Sequence, residues 1–179
     1  TINLSAQVLE SADFLYFTVN TIKASKLNPA CICFEITEHI GLTETNHAVR
    51  FVTTLKELGC RFSMDNFSGS LSSFGYLKNI PLDYLKIDGR LIKNMLSDPV
   101  DQAMVESINH IGHVMRLKTI AEWVENDQTL QLLENMGIDY AQGYWIAEPY
   151  PIDAKSVKFP ANDKLGNQEV TREEAGKQY

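Results

Sequence analysis

The sequence predicts an α/β fold, a barrel of parallel (β/α) units that is missing its first strands. Three observations predict it. Short apolar runs alternate along the chain with stretches whose apolar residues recur at helical spacing, an order that implies a parallel sheet with right-handed crossovers. Four of the runs end in a carboxylate, at Glu35, Asp65, Asp88 and Glu122. A barrel of this kind gathers the C-terminal ends of its strands on one face, where functional residues from several strands meet.

Ile2 to Ser5 reads as a short strand with Asn3 at its end. Residues 6–24 carry Val8, Leu9, Phe14, Leu15 and Ile22 at helical spacing, with Ser5 or Ser11 as N-cap, and Lys26 to Pro29 is a turn. Cys31 to Thr37 is the second strand. Thr43 to Asn46 opens a helix that runs to Leu58 and that Gly59 closes. Arg61 to Asn66 is the third strand, Ser70 to Lys78 a short helix, and Pro81 to Asp88 the fourth strand. Leu91 to Leu96 supplies a turn or two of helix, and Pro99 opens a longer one with Met104, Val105, Ile108, Ile111 and Met115 on its apolar side. Lys118 to Val124 is the fifth strand, Gln128 to Met136 a helix ended by Gly137, and Tyr140 to Trp145 the sixth strand, stopped by Pro149 and Pro151. A closed barrel takes eight strands and about 250 residues. Six strand-helix units over residues 1–158 therefore predict a partial barrel, and an open edge beside Ile2 predicts a dimer. Residues 159–179 lose apolar periodicity and read as a polar tail, or as a peripheral helix capped by Thr171 and Glu174.

Composition narrows the function. With 179 residues, 44% of them hydrophobic, the chain is a globular domain and not a disordered one. A net charge of -7 excludes a general DNA-binding surface while leaving room for a local basic pocket that takes a phosphate. No apolar run is long enough to span a membrane, and the first residues do not resemble a secretory signal. Cys31, Cys33 and Cys60 lack CxxC spacing and read as buried free thiols, the first two on one face of a strand. A reducing, cytoplasmic location is expected, either for the whole protein or for the cytoplasmic part of a membrane-anchored parent. His110 and His113 lie three apart without the glutamate of a helical zinc motif, and His39 and His47 are isolated, so all four histidines read as structural.

A carboxylate just beyond a buried strand is costly unless something positive meets it. Taken singly, Asp65 and Asp88 are equally well read as turn residues or helix caps. Their recurrence at the ends of several strands argues for convergence. Oxygen ligands without a His or Cys partner suit a hard divalent cation, Mg²⁺ or Mn²⁺, better than zinc. Lys86 lies two residues before Asp88, on the same face of its strand.

Several stretches together resemble the EAL domain family of bacterial cyclic di-GMP phosphodiesterases and receptors. They are INLSAQ from Ile2, FEITE from Phe34, MDNFSGSLSSFGYLK from Met64, LKIDG from Leu85, AEWVEN from Ala121 and QGYWIAEP from Gln142. The resemblance implies a TIM-like (β/α) barrel of the EAL type and a metal-dependent hydrolysis of cyclic di-GMP to linear pGpG. Mg²⁺ or Mn²⁺ would support that reaction, with Ca²⁺ as a non-productive substitute. It also implies roles for particular residues. Asn3, Glu35 and Asp65 correspond to metal ligands, and Asp88 to a ligand through water or to an acid that supports the ligands from behind. Lys86 corresponds to the lysine that holds the attacking water or the phosphate. Glu122 corresponds to the general base or a ligand of a second metal, Glu125 to a support of the metal cluster, Gln142 to a substrate-side residue and Glu38 to the anchor of the loop after Asp65. Sensor or diguanylate-cyclase-like domains upstream in the parent protein are expected from the same resemblance.

Three departures from the family pattern matter. The Glu-Ala-Leu motif on an early strand has no counterpart here, Asn66 stands where a second aspartate metal ligand is expected, and Trp123 replaces a glycine between Glu122 and Glu125. Asparagine keeps an oxygen but loses the charge, so a second cation would be held more weakly. The alternative to an active phosphodiesterase is thus a catalytically degenerate module that acts as a receptor for the dinucleotide or as a dimerisation and interaction domain.

Overall fold

The computed structural model describes residues 1–38, 46–70 and 73–149. Expectations that fall on 43–45, on the first residues of the helix expected from Ser70, and on 150–179, with the polar tail and its capping box, lie outside the described residues. Residues Thr1–Glu148 form a single unit.

Six parallel strands run in strict sequence order: β1 (Ile2–Asn3), β2 (Cys33–Thr37), β3 (Arg61–Phe67), β4 (Tyr84–Ile87), β5 (Lys118–Ala121) and β6 (Tyr140–Ala141). Each pairs with its chain neighbours, as in a barrel wound unit by unit, and β1 and β6 bound the sheet. The helices are α1 (Ala6–Leu9), α2 (Ala12–Ser25), α3 (Asn46–Glu57), α4 (Ser73–Leu77), α5 (Gly89–Asn94), α6 (Pro99–Val114) and α7 (Asp127–Asn135). The single helix expected over residues 6–24 is two, because Ser11 leaves the helical region and its Oγ accepts the Phe14 amide at 3.2 Å, which starts α2 afresh. At the start of α1, Ser5 makes no such cap. Pro99 and Asp98 start α6 together, the Asp98 carboxylate accepting the Val100 amide at 2.8 Å.

The two faces of the sheet differ in kind. Phe34, Ile36, Phe62, Met64, Leu85, Ile87 and Ala121 are buried in the main core, and α6 packs closely enough on this face that a Cβ at Gly112 would meet Thr119 and Leu85. Alternate residues, Glu35, Ser63, Asp65 and Lys86, face the other way and are polar. A strand that is apolar outward and charged inward needs a reason for its inner charges.

Two aspartates latch the N-terminal ends of the strands. Asp83 accepts the Phe62 amide at 2.8 Å and Lys56 Nζ at 2.6 Å, so it ties β3 and the last turn of α3 to β4. Asp139 accepts the Thr119 amide at 2.9 Å, the Thr119 hydroxyl at 3.2 Å and Lys118 Nζ at 2.5 Å, and His113 Nε2 from the last turn of α6 lies 2.8 Å away. Both stand just before a tyrosine that opens a strand. Burial disfavours the Asp139 carboxylate, but Lys118, the Thr119 amide and His113 outweigh it and hold its pKa at about 2, below the usual 3.8. A depressed carboxylate contributes stability above its unfolded pKa and loses it as pH falls through the folded one. Asp139→Asn should therefore cost about 2 kcal/mol at pH 7, and the gap between the two proteins in urea denaturation should close as pH falls from 4 towards 2.

The cysteines depart from expectation. Cys60 is buried, Cys33 half-buried and Cys31 exposed, because Cys31 ends the short 3₁₀ turn Pro29–Cys31 instead of belonging to β2. No helix among the described residues is long and apolar enough to cross a membrane.

Candidate functional site

Lys86 of β4 reaches three carboxylates from three other strands or their ends. Its Nζ lies 2.6 Å from Asp65 Oδ1, 2.8 Å from Glu122 Oε1 and 3.5 Å from Glu35 Oε2. The register produces this convergence: Met64 pairs with Leu85, so Asp65 and Lys86 follow side by side, and Ile87 pairs with Ala121, which brings Glu122 just past the end of β5. The four side chains are between 6 and 15% exposed. Burial works against the charge on Lys86, but hydrogen bonds to Asp65 and Glu122 outweigh it and raise the pKa, so the ammonium stays charged. Glu122 shifts upward, chiefly through burial and further through the charges of Asp65 and Glu35, against the opposing pull of Lys86.

Asn66 marks where β3 leaves its register just after Asp65. The β3–β4 register shifts between Met64 and Phe67, and Asn66 sits in that bulge with φ of 54°. Asparagine tolerates the left-handed region better than most residues. Its amide donates to Asp65 Oδ2 at 2.9 Å. Beyond the bulge, Glu38 accepts the Ser68 amide and Ser68 Oγ, each at 2.8 Å, and Ser70 Oγ at 3.1 Å, so the end of β2 holds the segment that leaves β3.

The other residues named from the sequence lie apart from Lys86. Asn3 is exposed on β1, in register with Glu35. Asp88 is buried but caps α5, and its carboxylate takes Arg90 in a two-pronged pair, with Arg90 Nη2 to Oδ2 at 2.6 Å and Nε to Oδ1 at 3.1 Å. Arg90 keeps the Asp88 pKa low in spite of burial. Glu125 is half exposed, 3.8 Å from Lys93 of α5. Gln142 is exposed and holds the rim through its backbone, its amide donating to the Ala121 carbonyl at 2.8 Å and its carbonyl accepting the Val124 amide at 3.1 Å. A Cβ at Gly143 would lie 2.3 Å from the Val124 backbone, so only glycine allows this approach, and β5 and β6 end sooner than their apolar runs suggest. Arg90, Ser68 and Ser70 were not singled out in the sequence. The signals for them are a basic residue two positions past a capping aspartate and a Ser-Gly-Ser segment after the central acid.

Among the described residues, no three His, Cys, Asp or Glu side chains stand together at metal-ligand geometry. Lys86 stands among Glu35, Asp65 and Glu122, Arg90 takes both oxygens of Asp88, and Asn3 lies beside Glu35 on the neighbouring strand. The donor chemistry still fits a hard divalent cation. Three carboxylates face one ammonium, so negative charge is in excess, and every candidate ligand is an oxygen.

A parallel α/β sheet wound in barrel order, with an acid-rich and lysine-centred cluster towards the C-terminal ends of its strands, defines a domain of the (β/α)-barrel class. The chain belongs to the EAL domain family, whose pattern it matches over residues 1–149. It is 35% identical over 158 residues to the cyclic di-GMP phosphodiesterase PdeB of Shewanella oneidensis, covering 88% of this chain and 18% of that protein. It is also 35% identical over 151 residues to the cyclic di-GMP phosphodiesterase PdeF of Escherichia coli, covering 84% and 20%. The chain thus spans about a fifth of the length of these relatives. Among solved structures, the PaMucR phosphodiesterase in complex with c-di-GMP superposes with a TM-score of 0.77 at 30% identity, over 83% of this chain and 60% of that one. The FimX EAL domain of Pseudomonas aeruginosa bound to c-di-GMP gives 0.77 at 26%, over 82% and 60%.

Proposed function

We propose that this domain binds cyclic di-GMP and hydrolyses one of its two phosphodiesters to give linear pGpG, with a divalent cation as cofactor. The observation that carries the reading is the meeting of Glu35, Asp65 and Glu122 at Lys86, in a chain whose relatives are named as phosphodiesterases of this dinucleotide. Asn3, Glu35 and Asp65 would hold the cation, with Glu122 beside them. When bound, Mg²⁺ or Mn²⁺ would lower the pKa of a water and offset charge on the phosphate.

The chain's own residues supply the rest. Hydrolysis forms one bond from a water oxygen to phosphorus and breaks the bond from phosphorus to the 3′ oxygen. One proton must leave the water, and one must reach the departing oxygen. Glu122, with its pKa raised and its Oε1 held by Lys86, is the acceptor for the water's proton. Lys86 keeps its own proton, so it serves as a fixed positive charge facing the phosphate, and the 3′ oxygen takes its proton from solvent. Glu38 holds the segment after β3 that flanks the site.

Asn66 favours a second reading, in which the domain binds the dinucleotide without efficient turnover, because an amide stands where the family pattern has a carboxylate. Chromatography of the nucleotide products separates the two. pGpG should form with Mg²⁺ or Mn²⁺, stop on chelation with EDTA, and remain absent with Ca²⁺. Binding without pGpG under every metal would leave the receptor reading standing. Further sensor or cyclase-like domains in the same polypeptide, a cytoplasmic location and a second copy at the edge of β1, where Ile2 is half exposed, belong to the same proposal.

A further inference from the structure

Trp123 is the residue that the proposed chemistry does not use. It directly follows Glu122, on the rim where β5 ends, with a backbone φ of 55°. A bulky side chain in the left-handed region is an outlier that persists only when its surroundings fix it, and such outliers cluster at ligand clamps. Here the surroundings are explicit. A Cβ added at Gly89 would lie 2.3 Å from Cδ2 and 2.4 Å from Cγ of the indole, so the ring rests directly on the Gly89 backbone, one residue beyond Asp88. The rest of the segment is held on both sides, by Lys93 near Glu125 at 3.8 Å and by the Val124 amide on the Gln142 carbonyl at 3.1 Å. Trp123 is nevertheless 50% exposed. A ring that covers glycine backbone on one side and remains half exposed presents its other side to solvent, within a residue of the acid cluster.

The geometry points to Trp123 as a stacking platform for one guanine of the dinucleotide. This rests on the reading that cyclic di-GMP is the ligand. A flat, pre-set aromatic face loses little freedom on binding, and every purine has a π-face to meet it. The position directly follows Glu122, whose Oε1 lies 2.8 Å from Lys86 Nζ, so a base seated there keeps its attached sugar-phosphate near the site.

The test is a titration of the full chain with cyclic di-GMP in Ca²⁺, followed by calorimetry and by tryptophan emission in a Trp145→Phe background that leaves Trp123 as the only tryptophan. Binding should quench that emission. Trp123→Ala should weaken binding by about 5- to 150-fold, the equivalent of one lost base-aromatic stack. Trp123→Phe should recover part of the loss. Trp123→Gly should bind as weakly as Trp123→Ala, and because glycine is at ease at this φ, that loss cannot be put down to unfolding. Tighter binding by Trp123→Gly would overturn the inference and make the indole an obstruction. Calorimetric binding without quenching, or unchanged by Trp123→Ala, would overturn it while leaving the proposed function intact. No calorimetric binding by the unsubstituted chain would overturn both.

Discussion

Lys86→Met should abolish pGpG formation, with a loss of at least about two to three orders of magnitude in turnover, the scale seen when one preorganised stabilising group is removed. It should also expose what the lysine does for the fold. Its side chain is 6% exposed and its ammonium lies within 3.5 Å of three carboxylates, so its removal leaves like charges facing one another in a poorly hydrated space. Breaking a buried pair by deleting one partner costs about 3 to 5 kcal/mol. The destabilisation should be relieved by Mg²⁺, which enters a site made more negative, whereas activity should not return. Thermal denaturation with and without Mg²⁺, beside product chromatography, reads both effects. A variant with full turnover would remove Lys86 from the mechanism.

Asn66→Asp should act in the opposite sense on activity, raising turnover by about two orders of magnitude if a second cation mainly stabilises charge that develops in the transition state. The backbone does not confound the change, because aspartate tolerates the left-handed region as asparagine does. The local cost is visible in the geometry: the amide of Asn66 donates to Asp65 Oδ2 at 2.9 Å, and a carboxylate there would meet another carboxylate. Without metal the variant should be less stable by about 1 kcal/mol, and with Mg²⁺ or Mn²⁺ the difference should vanish. Equal and rapid turnover in both proteins would show the substitution to be neutral and would end the receptor reading.

Much of the fold was legible because its signals are local. Apolar runs of strand length ending in acids, Pro99 opening α6 and Gly59 and Gly137 closing helices each have a mechanism within a few residues. The sequence also placed Glu35, Asp65 and Glu122 at the ends of apolar runs and Lys86 two residues before Asp88, and a parallel register then brings these four side chains together. What escaped depends on distant partners. Asp139 reads as an ordinary turn acid until Thr119, Lys118 and His113 arrive from other elements. The bulge at Asn66 marks the sequence only by setting the buried Met64 and Phe67 three apart, a break in the alternation that also reads as the end of the strand at Asn66. Arg90 is not legible either, because a surface arginine two residues past a cap gives no hint that it will claim both oxygens of Asp88.

The paired latches at Asp83 and Asp139 carry a consequence for how such a domain drifts through evolution. They tie strand to helix at the N-terminal ends of the sheet, while the acids gather at the C-terminal ends. Part of the folding energy therefore rests on residues far from the acids, and a change such as an amide for a carboxylate at position 66 leaves these latches untouched. A lineage can relinquish catalysis one side chain at a time and keep a rigid rim that still grips its ligand, so enzyme and sensor become neighbouring states of a single architecture.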